Sequence, residues 1–396
     1  MARRSHPTAP TPDRALLVAV DVAGAPLSAP ESLDELAELS RSAGAEVVGR
    51  ITQKLEHPNV ATYVGRGKVR EIAEAQRDLD ANVVVLDDEL SPSQQRNLES
   101  ELGLKVIDRT ALILDIFAAR ARTREGRLQV SLAQMEYLLP RLAGQWSHLE
   151  RMEGAIGTRG PGETQIETDR RLIRSRISKI RRDIEEVRTQ RSLYRRRRRR
   201  NNMPVVALCG YTNAGKSTLM RVLSGADVTA EDRLFATLDP VTRRIAMPSG
   251  RVILLTDTVG FIQKLPTQLV ASFRATLEEL VEADLLLHVV DIAHPNVFEH
   301  VQAVEGILRE LGAGSTIRLT VLNKLDLIRN SEGKKVKDLK AARAQIAGAG
   351  SAPPDVVSVS AVKRWGVADL RAGIEAGLAG ELVPGEVSQS IFKRAG

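Results

Sequence analysis

A glycine-rich segment between an apolar strand and a predicted helix could bind phosphate groups. The strand covers residues 204–209, and residues 210–217 then read Gly-Tyr-Thr-Asn-Ala-Gly-Lys-Ser. Glycines let backbone N–H groups turn inward around phosphates, and the following helix N-terminus adds positive potential. In this pattern Lys216 bridges the β- and γ-phosphates and Ser217 holds Mg²⁺. The phosphate-binding residues predicted here are Gly210, Tyr211, Thr212, Asn213, Ala214, Gly215, Lys216, Ser217 and Thr218.

An aspartate and a glycine downstream are spaced to act on the same phosphates. Asp257 ends an apolar strand at residues 252–257, some forty residues after the glycine-rich segment, and Thr-Val-Gly follows it. An aspartate in that place can bind Mg²⁺ through water. The free N–H of Gly260 can sense the γ-phosphate.

A threonine between these two motifs is expected to complete the metal site. Residues 234–240 read Leu-Phe-Ala-Thr-Leu-Asp-Pro and are loop-like. A threonine here can bring its hydroxyl to Mg²⁺ only when the triphosphate holds the loop closed. Thr237 is favoured over Thr229 and Thr242. The predicted metal ligands are Ser217, Thr237 and Asp257, and the predicted catalytic residues are Lys216, Thr237 and Gly260.

Base recognition is predicted from Asn323, Lys324 and Asp326, which follow an apolar strand. The carboxylate of Asp326 can accept hydrogen bonds from the N1–H and N2–H₂ groups of guanine, and adenine lacks this pair of donors. Ser360 and Ala361 fit the last base-contacting loop, where the N–H of Ala361 donates to guanine O6. The four motifs, in this order, predict a GTP-binding and GTP-hydrolysing P-loop protein.

The residue after Gly260 is Phe261, where many GTPases have a glutamine that orients the attacking water. Phenylalanine has no polar group for this task, so intrinsic hydrolysis is predicted to be slow unless a cation or a partner assists. Nothing in the sequence directs the nearby Gln263 to the γ-phosphate. Several GTPases with asparagine at the position of Asn213 coordinate K⁺, and that similarity predicts K⁺ stimulation. The alternative is an asparagine that bonds its own backbone.

Composition excludes several other classes of protein. The chain has 396 residues, enough for two or three domains, and no apolar run approaches the ~20 residues that span a bilayer. Residues 1–14 predict a flexible tail rather than a secretory signal. The single cysteine, Cys209, excludes an internal disulfide and fits a reducing compartment. The expected location is cytoplasmic, with peripheral attachment to a membrane left open.

The net charge of +7 is concentrated in one segment. Residues 170–200 hold 15 Lys and Arg against 3 Asp and Glu, so the rest of the chain is acidic. A localised positive charge favours contact with a polyanion. The alternative for the arginine run at residues 195–200 is a solvated linker.

The elements that position these residues predict an α/β protein in three parts. Residues 15–117 alternate short apolar strands with helical patterns, as in a small parallel α/β domain. Ser32 and Glu35 resemble a capping box, and Ser91 could cap a helix that ends near Gly103. In the same domain, residues 65–68 fit a structural turn better than a phosphate site. Residues 201–383 predict a Ras-like GTPase domain with a mostly parallel sheet, and residues 384–396 form a tail.

Residues 118–200 predict an antiparallel helical hairpin. Apolar residues recur with 4-3 spacing from Leu128 to Leu149 and from Ile173 to Val187. The breaker-rich residues 154–162 would join the two helices, and Pro140 is expected to kink the first one.

The whole chain resembles the HflX family of ribosome-associated GTPases. Phe261 fits, because that family has an apolar residue there, and GTRGPGETQ followed by GYTNAGKS is the most specific match. Only a short segment follows Leu370, whereas many members carry a further C-terminal domain, so a function of that domain is not transferred. Segments similar to the family signatures are residues 57–72, 132–142, 157–171, 234–240, 256–266 and 273–279.

The resemblance implies binding to the large ribosomal subunit and its rRNA, GTPase stimulation by that subunit, and dissociation of stalled or idle ribosomes. The implied ligands are GTP, GDP, Mg²⁺ and K⁺, and the chain is expected to be a monomer. A subunit-assembly or RNA-remodelling factor and a regulatory switch with a protein effector are the alternatives. A glycine-rich tip on a basic hairpin could contact folded RNA through Gly157, Arg159, Gly160, Gly162, Arg170, Arg171 and Arg174.

Overall fold

The computed structural model describes residues 12–22, 24, 27–142, 161–200, 203–225, 234–266, 269, 274–330, 333–347 and 353–382. The chain divides into two compact units. The first unit is Met1–Ala119 with Gln134–Ser178, and the second unit is Arg120–Ala133 with Lys179–Gly396. The three-part division expected from the sequence stays a prediction. Residues 1–11 and 383–396, most of the two predicted tails, lie outside the described residues.

The first unit contains a parallel four-stranded sheet in the order β2-β1-β3-β4. Valine, leucine and isoleucine side chains from one face of the sheet pack with residues of α2 and α3 into a buried core. This arrangement confirms the parallel α/β architecture predicted for the N-terminal part. The elements are β1 (Arg14–Val22), α1 (Ala29–Ser42), β2 (Glu46–Leu55), α2 (Arg66–Asp78), β3 (Val83–Leu86), α3 (Pro92–Leu102), β4 (Lys105–Asp108) and α4 (Arg109–Arg120).

One predicted helix cap is present and another is displaced by one turn. Ser91 caps α3 through a hydrogen bond from the Gln94 N–H at 3.2 Å, and α3 ends at Gly103 in the left-handed conformation. Helix α1, by contrast, is capped by Ser28, one turn before the predicted Ser32. Ser32 instead donates to the buried Asp87 at 2.6 Å. Tertiary contacts therefore decided which serine caps the helix.

Two helices occupy part of the segment predicted to form the hairpin, namely α5 (Arg124–Leu138) and α6 (Pro161–Arg200). Helix α5 ends two residues before Pro140, so this proline terminates the helix instead of kinking it. Helix α6 begins at Pro161, a residue that is favourable in a first turn, so Gly162 is helical and not part of the loop as predicted. The predicted tip at residues 143–160 lies outside the described residues.

In its described residues, the second unit has a six-stranded sheet in the order β10-β9-β8-β5-β7-β6. Only β6 pairs antiparallel, so the mostly parallel sheet of the predicted Ras-like domain is confirmed. The strands are β5 (Val205–Gly210), β6 (Val241–Ala246), β7 (Val252–Asp257), β8 (Leu285–Asp291), β9 (Arg318–Asn323) and β10 (Val356–Ser358).

Helices cover the central strands of this sheet, which are buried along most of their length because both faces are packed. The carboxyl ends of β5, β7 and β9 meet at one edge, where the loops that follow them can meet. None of the described helices combines the length and apolarity needed to cross a membrane. The described α-helices that follow β5 in this unit are α7 (Lys216–Ser224), α8 (Arg274–Val281), α9 (Val297–Glu310), α10 (Leu339–Ala347) and α11 (Val367–Ala379).

A buried ion network crosses the first unit. The guanidinium of Arg109, which is 1% exposed, donates to Asp87 at 2.8 Å and also pairs with Glu35. Ser32 shares the Asp87 carboxylate. Removing one member of a buried ion pair leaves the other charge without compensation.

We expect Arg109→Met to lower the free energy of unfolding of the first unit by about 3–5 kcal/mol, because Asp87 and Glu35 stay buried without their cation. Arg50→Met is the matched control. Its ion pair with Asp34 is solvent-exposed, and its loss is expected to change stability by less than about 1 kcal/mol. Urea unfolding followed by circular dichroism measures both. Equal effects of the two substitutions would contradict this prediction.

Candidate functional site

The glycine-rich loop joins the end of β5 to the start of α7 and leaves no room for side chains at two points. A Cβ on Gly210 would lie 2.2 Å from the carbonyl oxygen of Val289, and one on Gly215 would lie 2.3 Å from Asn323 Nδ2. Both glycines also have positive φ, which disfavours L-residues with side chains. The backbone can therefore pass closely over the sheet edge, with its N–H groups available to phosphates.

Lys216 is the first residue of α7 and is buried, at 6% exposure. Its Nζ donates to the backbone carbonyls of Gly210 at 3.1 Å and Tyr211 at 2.8 Å. Burial lowers the pKa of Lys216 to about 8, and the nearby Asp257 carboxylate opposes this shift. Phosphate groups in the loop would supply the negative charge that favours the protonated amine.

The three predicted metal ligands are brought together. Ser217 Oγ and Thr237 Oγ1 lie 2.7 and 2.9 Å from Asp257 Oδ2, and 2.9 Å from each other. Adjacent ligands of an octahedral Mg²⁺ with bonds of 2.0–2.1 Å are also about 2.9 Å apart. Of the alternative threonines, Thr242 pairs with Thr256 on neighbouring strands, and Thr229 lies outside the described residues.

Asp257 itself fits a cation ligand. It is 2% exposed, and its Oδ1 has no hydrogen-bond partner among the described residues. Desolvation raises its pKa, while Lys216 and the two hydroxyl groups oppose that rise. A buried carboxylate oxygen beside two hydroxyls is a donor set that suits a hard divalent cation such as Mg²⁺.

The residues predicted to recognise the base form a second cluster at the same sheet edge. Asn323, which is 2% exposed, donates from Nδ2 to the Ala214 carbonyl at 2.8 Å. Its Oδ1 accepts from the N–H of Ala361 at 3.1 Å, so one amide ties the phosphate loop to the last loop. Ser360 Oγ donates to Asp326 Oδ1 at 2.5 Å and so orients that carboxylate.

Other residues of these motifs act through packing or backbone. Lys324 adopts the left-handed conformation and its Nζ pairs with Asp291 at 2.8 Å. The ring of Tyr211 is buried and stacks on His300, with centroids 3.7 Å apart. Tyr211 and Ala214 do not line the phosphate pocket described below, so any contact they make with phosphate would come from their backbone.

Phe261 holds the two phosphate-facing loops together through its backbone. Its carbonyl accepts from the N–H of Thr212 at 2.6 Å, and its N–H donates to the Gly210 carbonyl at 3.1 Å. Its ring is 1% exposed and does not line the pocket. Gln263 is also buried, with its N–H bonded to the Tyr211 hydroxyl at 2.9 Å, and it too lies outside the pocket lining.

A pocket of about 560 Å³ lies over these groups. Its wall includes predicted residues and others that sequence reasoning missed. The missed residues come from residues 120–123 and from the loop around Thr237, of which the sequence analysis assigned only Thr237 to the site. The predicted lining residues are Thr212, Asn213, Gly215, Lys216, Ser217, Thr218, Thr237, Asp257 and Gly260, and the missed ones include Arg120, Arg122, Thr123, Phe235 and Asp239.

The fold and the site define a P-loop GTP-binding protein, and comparison with known sequences agrees. Residues 30–118 match the family model for the GTP-binding GTPase N-terminal region and residues 120–198 that for the GTP-binding GTPase middle region. Residues 205–324 match the model described as 50S ribosome-binding GTPase.

Proteins named GTPase HflX are similar over most of the chain. The one from Caldanaerobacter subterraneus subsp. tengcongensis is 53% identical over 80% of this chain and 73% of its own length. The one from Escherichia coli K12 is 51% identical over 78% and 72%. This chain belongs to the HflX GTPase family, and it is a GTPase.

Among solved structures, the chain is similar to a GTP-binding protein from the archaeon Sulfolobus solfataricus in complex with GDP. The two are 26% identical with a TM-score of 0.46, over 93% of this chain and 99% of that chain.

Asp326→Asn tests the base site. The amide would place a donor against the guanine N1–H and N2–H₂ groups, so we expect GDP affinity to fall at least about 100-fold, since each hydrogen bond to a charged group contributes about 1.5–3 kcal/mol. Xanthosine diphosphate, which has a carbonyl in place of N2–H₂, should bind the variant more tightly than GDP. Calorimetric titration of both nucleotides, with Asp284→Asn as control, measures this. Unchanged GDP affinity would remove Asp326 from the base site.

Proposed function

We propose that this GTPase binds the large ribosomal subunit and dissociates stalled or idle ribosomes, hydrolysing GTP to GDP and phosphate. The observation that carries the proposal is the clustering of the predicted guanine-nucleotide residues in a chain that matches three consecutive family models, the last described as a 50S ribosome-binding GTPase. A cytoplasmic location, a monomeric state and the three-part division into residues 15–117, 118–200 and 201–383 belong to the same proposal.

The chemistry that this site supports is in-line attack of water on the γ-phosphate. Lys216 and the backbone N–H groups of the phosphate loop and Gly260 stabilise the charge on the phosphoryl oxygens. Ser217, Thr237 and Asp257 would hold Mg²⁺, which when bound neutralises charge on the β- and γ-phosphates. Gly260 must be a glycine, because a Cβ there would lie 2.8 Å from Thr212 Cα.

Hydrolysis by the free protein should be slow. The buried ring of Phe261 occupies the position of the usual water-orienting glutamine, and neither Phe261 nor Gln263 lines the pocket. The polar group that orients water must then come from elsewhere. This need supports stimulation by a bound ribosomal subunit.

Basic side chains on α6 supply a surface for rRNA. Arg170, Arg171 and Arg174 line one surface pocket within two turns of the helix, and Arg171 and Arg174 are exposed. Such contacts bind phosphates and weaken as salt rises. Gly157, Arg159 and Gly160, the other proposed contacts, lie outside the described residues, and Gly162 lies in the first turn of α6.

We expect purified large ribosomal subunits to stimulate GTP hydrolysis at least about tenfold, because they would supply the group that Phe261 cannot. Lys216→Ala should abolish the stimulated rate. Arg171→Glu with Arg174→Glu should weaken subunit binding, measured by co-sedimentation, whereas the exposed pair Lys335→Glu with Lys337→Glu should not.

Other results of these experiments would favour one of the alternative functions. GTP binding without ribosomal stimulation would favour a regulatory switch that acts on a protein effector. A preference for immature over complete subunits would favour an assembly or RNA-remodelling factor. Stimulation followed by separation of intact ribosomes in sucrose gradients supports dissociation.

A monovalent cation is proposed beside Asn213. This residue is exposed, has a φ of 59° and lines the pocket next to the phosphate loop. A K⁺ ion there would add positive charge near the phosphates. We expect GTP hydrolysis to be several-fold faster in K⁺ than in Na⁺ buffer at equal ionic strength, and Asn213→Ala to remove the difference. Equal rates of the wild-type protein in the two buffers would refute the cation site.

A further inference from the structure

The loop that carries Thr237 is held on both sides of this threonine. On one side, the N–H of Phe235 donates to Thr212 Oγ1 at 3.3 Å, and the ring of Phe235 is 2% exposed. Its φ of 55° places a bulky residue in the left-handed region, a conformation that persists only when its surroundings enforce it.

On the other side, the carboxylate of Asp239 lies at the N-terminus of α5. Asp239 Oδ2 accepts from the N–H groups of Arg122 at 2.7 Å and Thr123 at 2.9 Å. The hydroxyl of Thr123 donates to Asp239 Oδ1. Residues 120–133 belong to the same compact unit as the nucleotide site, so these contacts lie within one unit.

The Asp239 carboxylate adds to the cap of α5, although it comes from a distant part of the chain. The first N–H groups of a helix lack partners within the helix, and its N-terminus favours negative charge. Thr123 Oγ1 accepts from the N–H of Gly126 at 3.0 Å and so caps the first turn of the helix. Asp239 accepts from the N–H groups of Arg122 and Thr123, which directly precede the first helical residue. Asp239 is 116 residues away from Thr123 in the sequence.

Gly126 makes room for the carboxylate. A Cβ at this position would lie 2.2 Å from Asp239 Oδ1, closer than any stable contact. A glycine in a helix costs about 1 kcal/mol relative to alanine. The close approach of Asp239 gives a physical reason for glycine in the first turn of α5.

We propose that Asp239, latched onto the N-terminus of α5, is a positioning residue that holds Thr237 against Ser217 and Asp257 and so stabilises the GTP-bound state. The proposal rests on the assignment of Thr237 as a metal ligand under the proposed function. Thr237 lies two residues from each anchor, a span of at most about 7 Å of chain. The two anchors therefore limit how far Thr237 can move away from Ser217 and Asp257.

The contact of Asp239 with the N-terminus of α5, here called the latch, is expected to affect the binding of GTP and of GDP differently. A closed Thr237 loop contacts the γ-phosphate end of the site, so the latch favours GTP and contributes little to GDP binding. The coupling is reciprocal, so bound GTP also stabilises the first turn of α5.

Binding of GDP and of a non-hydrolysable GTP analogue with Mg²⁺ to the full chain tests the latch. We expect Asp239→Ala and Gly126→Ala each to weaken analogue binding about tenfold and to slow hydrolysis, with GDP affinity unchanged within about twofold. Asp239→Asn should recover part of the loss, because its amide oxygen still accepts from backbone N–H groups.

The double variant Gly126→Ala/Asp239→Ala should be no worse than Asp239→Ala alone, because the added methyl group then meets no carboxylate. Asp338→Ala is the matched control, since Asp338 caps α10 through the Ala341 N–H at 2.8 Å and does not line the nucleotide pocket. The affinities of Asp338→Ala for GDP and for the GTP analogue should match those of the wild-type protein. Gly126→Ala stays informative if Asp239→Ala folds poorly, because alanine favours the helix.

Additive losses in the double variant, or equal losses of GDP and analogue binding, would overturn the latch. The variant Thr237→Ala distinguishes a wrong latch from a wrong assignment of Thr237 as a metal ligand. If Thr237→Ala keeps the preference for the analogue, the assignment of Thr237 is wrong. If Thr237→Ala loses that preference while the Asp239 and Gly126 variants keep it, only the latch is wrong.

Discussion

The buried carboxylate of Asp257 is the interaction on which the arrangement of this site depends. A carboxylate with 2% exposure is stable only when charges or hydrogen-bond donors surround it. Lys216 and Ser217 provide these from the start of α7, and Thr237 provides a hydroxyl group from its loop. The end of β7, the start of α7 and the Thr237 loop must therefore meet at one point. A Mg²⁺ ion in that cluster would satisfy the same charge.

Close backbone packing makes this convergence possible. Gly210 and Gly215 let the phosphate loop run against β8 and Asn323, where any side chain would collide with its neighbours. The amide of Asn323 then bonds the phosphate loop and the Ala361 loop at once. The phosphate and base regions are thus parts of one hydrogen-bonded edge of the sheet, and a displacement of either loop strains the other.

The nucleotide site extends beyond the GTPase motifs. Residues 120–133 belong to the compact unit that binds nucleotide, and Arg120, Arg122 and Thr123 line its pocket. That segment opens the part of the chain, residues 120–198, that matches the model for the GTP-binding GTPase middle region, and the side chain of Phe261 is buried and apolar. A pocket lined in part by residues 120–123, with no side chain of Phe261 or Gln263 in its wall, is suited to control by a bound partner.

The sequence by itself was enough to predict the phosphate loop, the roles proposed for Asp257, Gly260 and the Asn323–Asp326 motif, and the location of most strands. Each of these predictions depends on residues that are near one another along the chain. The sequence also determined helix α3, whose cap and terminator are local. Tertiary structure decided that Ser28 caps α1, because Ser32 and Glu35 join the buried network of Arg109. It also brought Thr237, the threonine that the sequence favours, into contact with Ser217, and it placed Asp239 at the N-terminus of a helix 116 residues away. Contacts between a side chain and a distant backbone N–H leave no periodic pattern, so only the folded chain could show them.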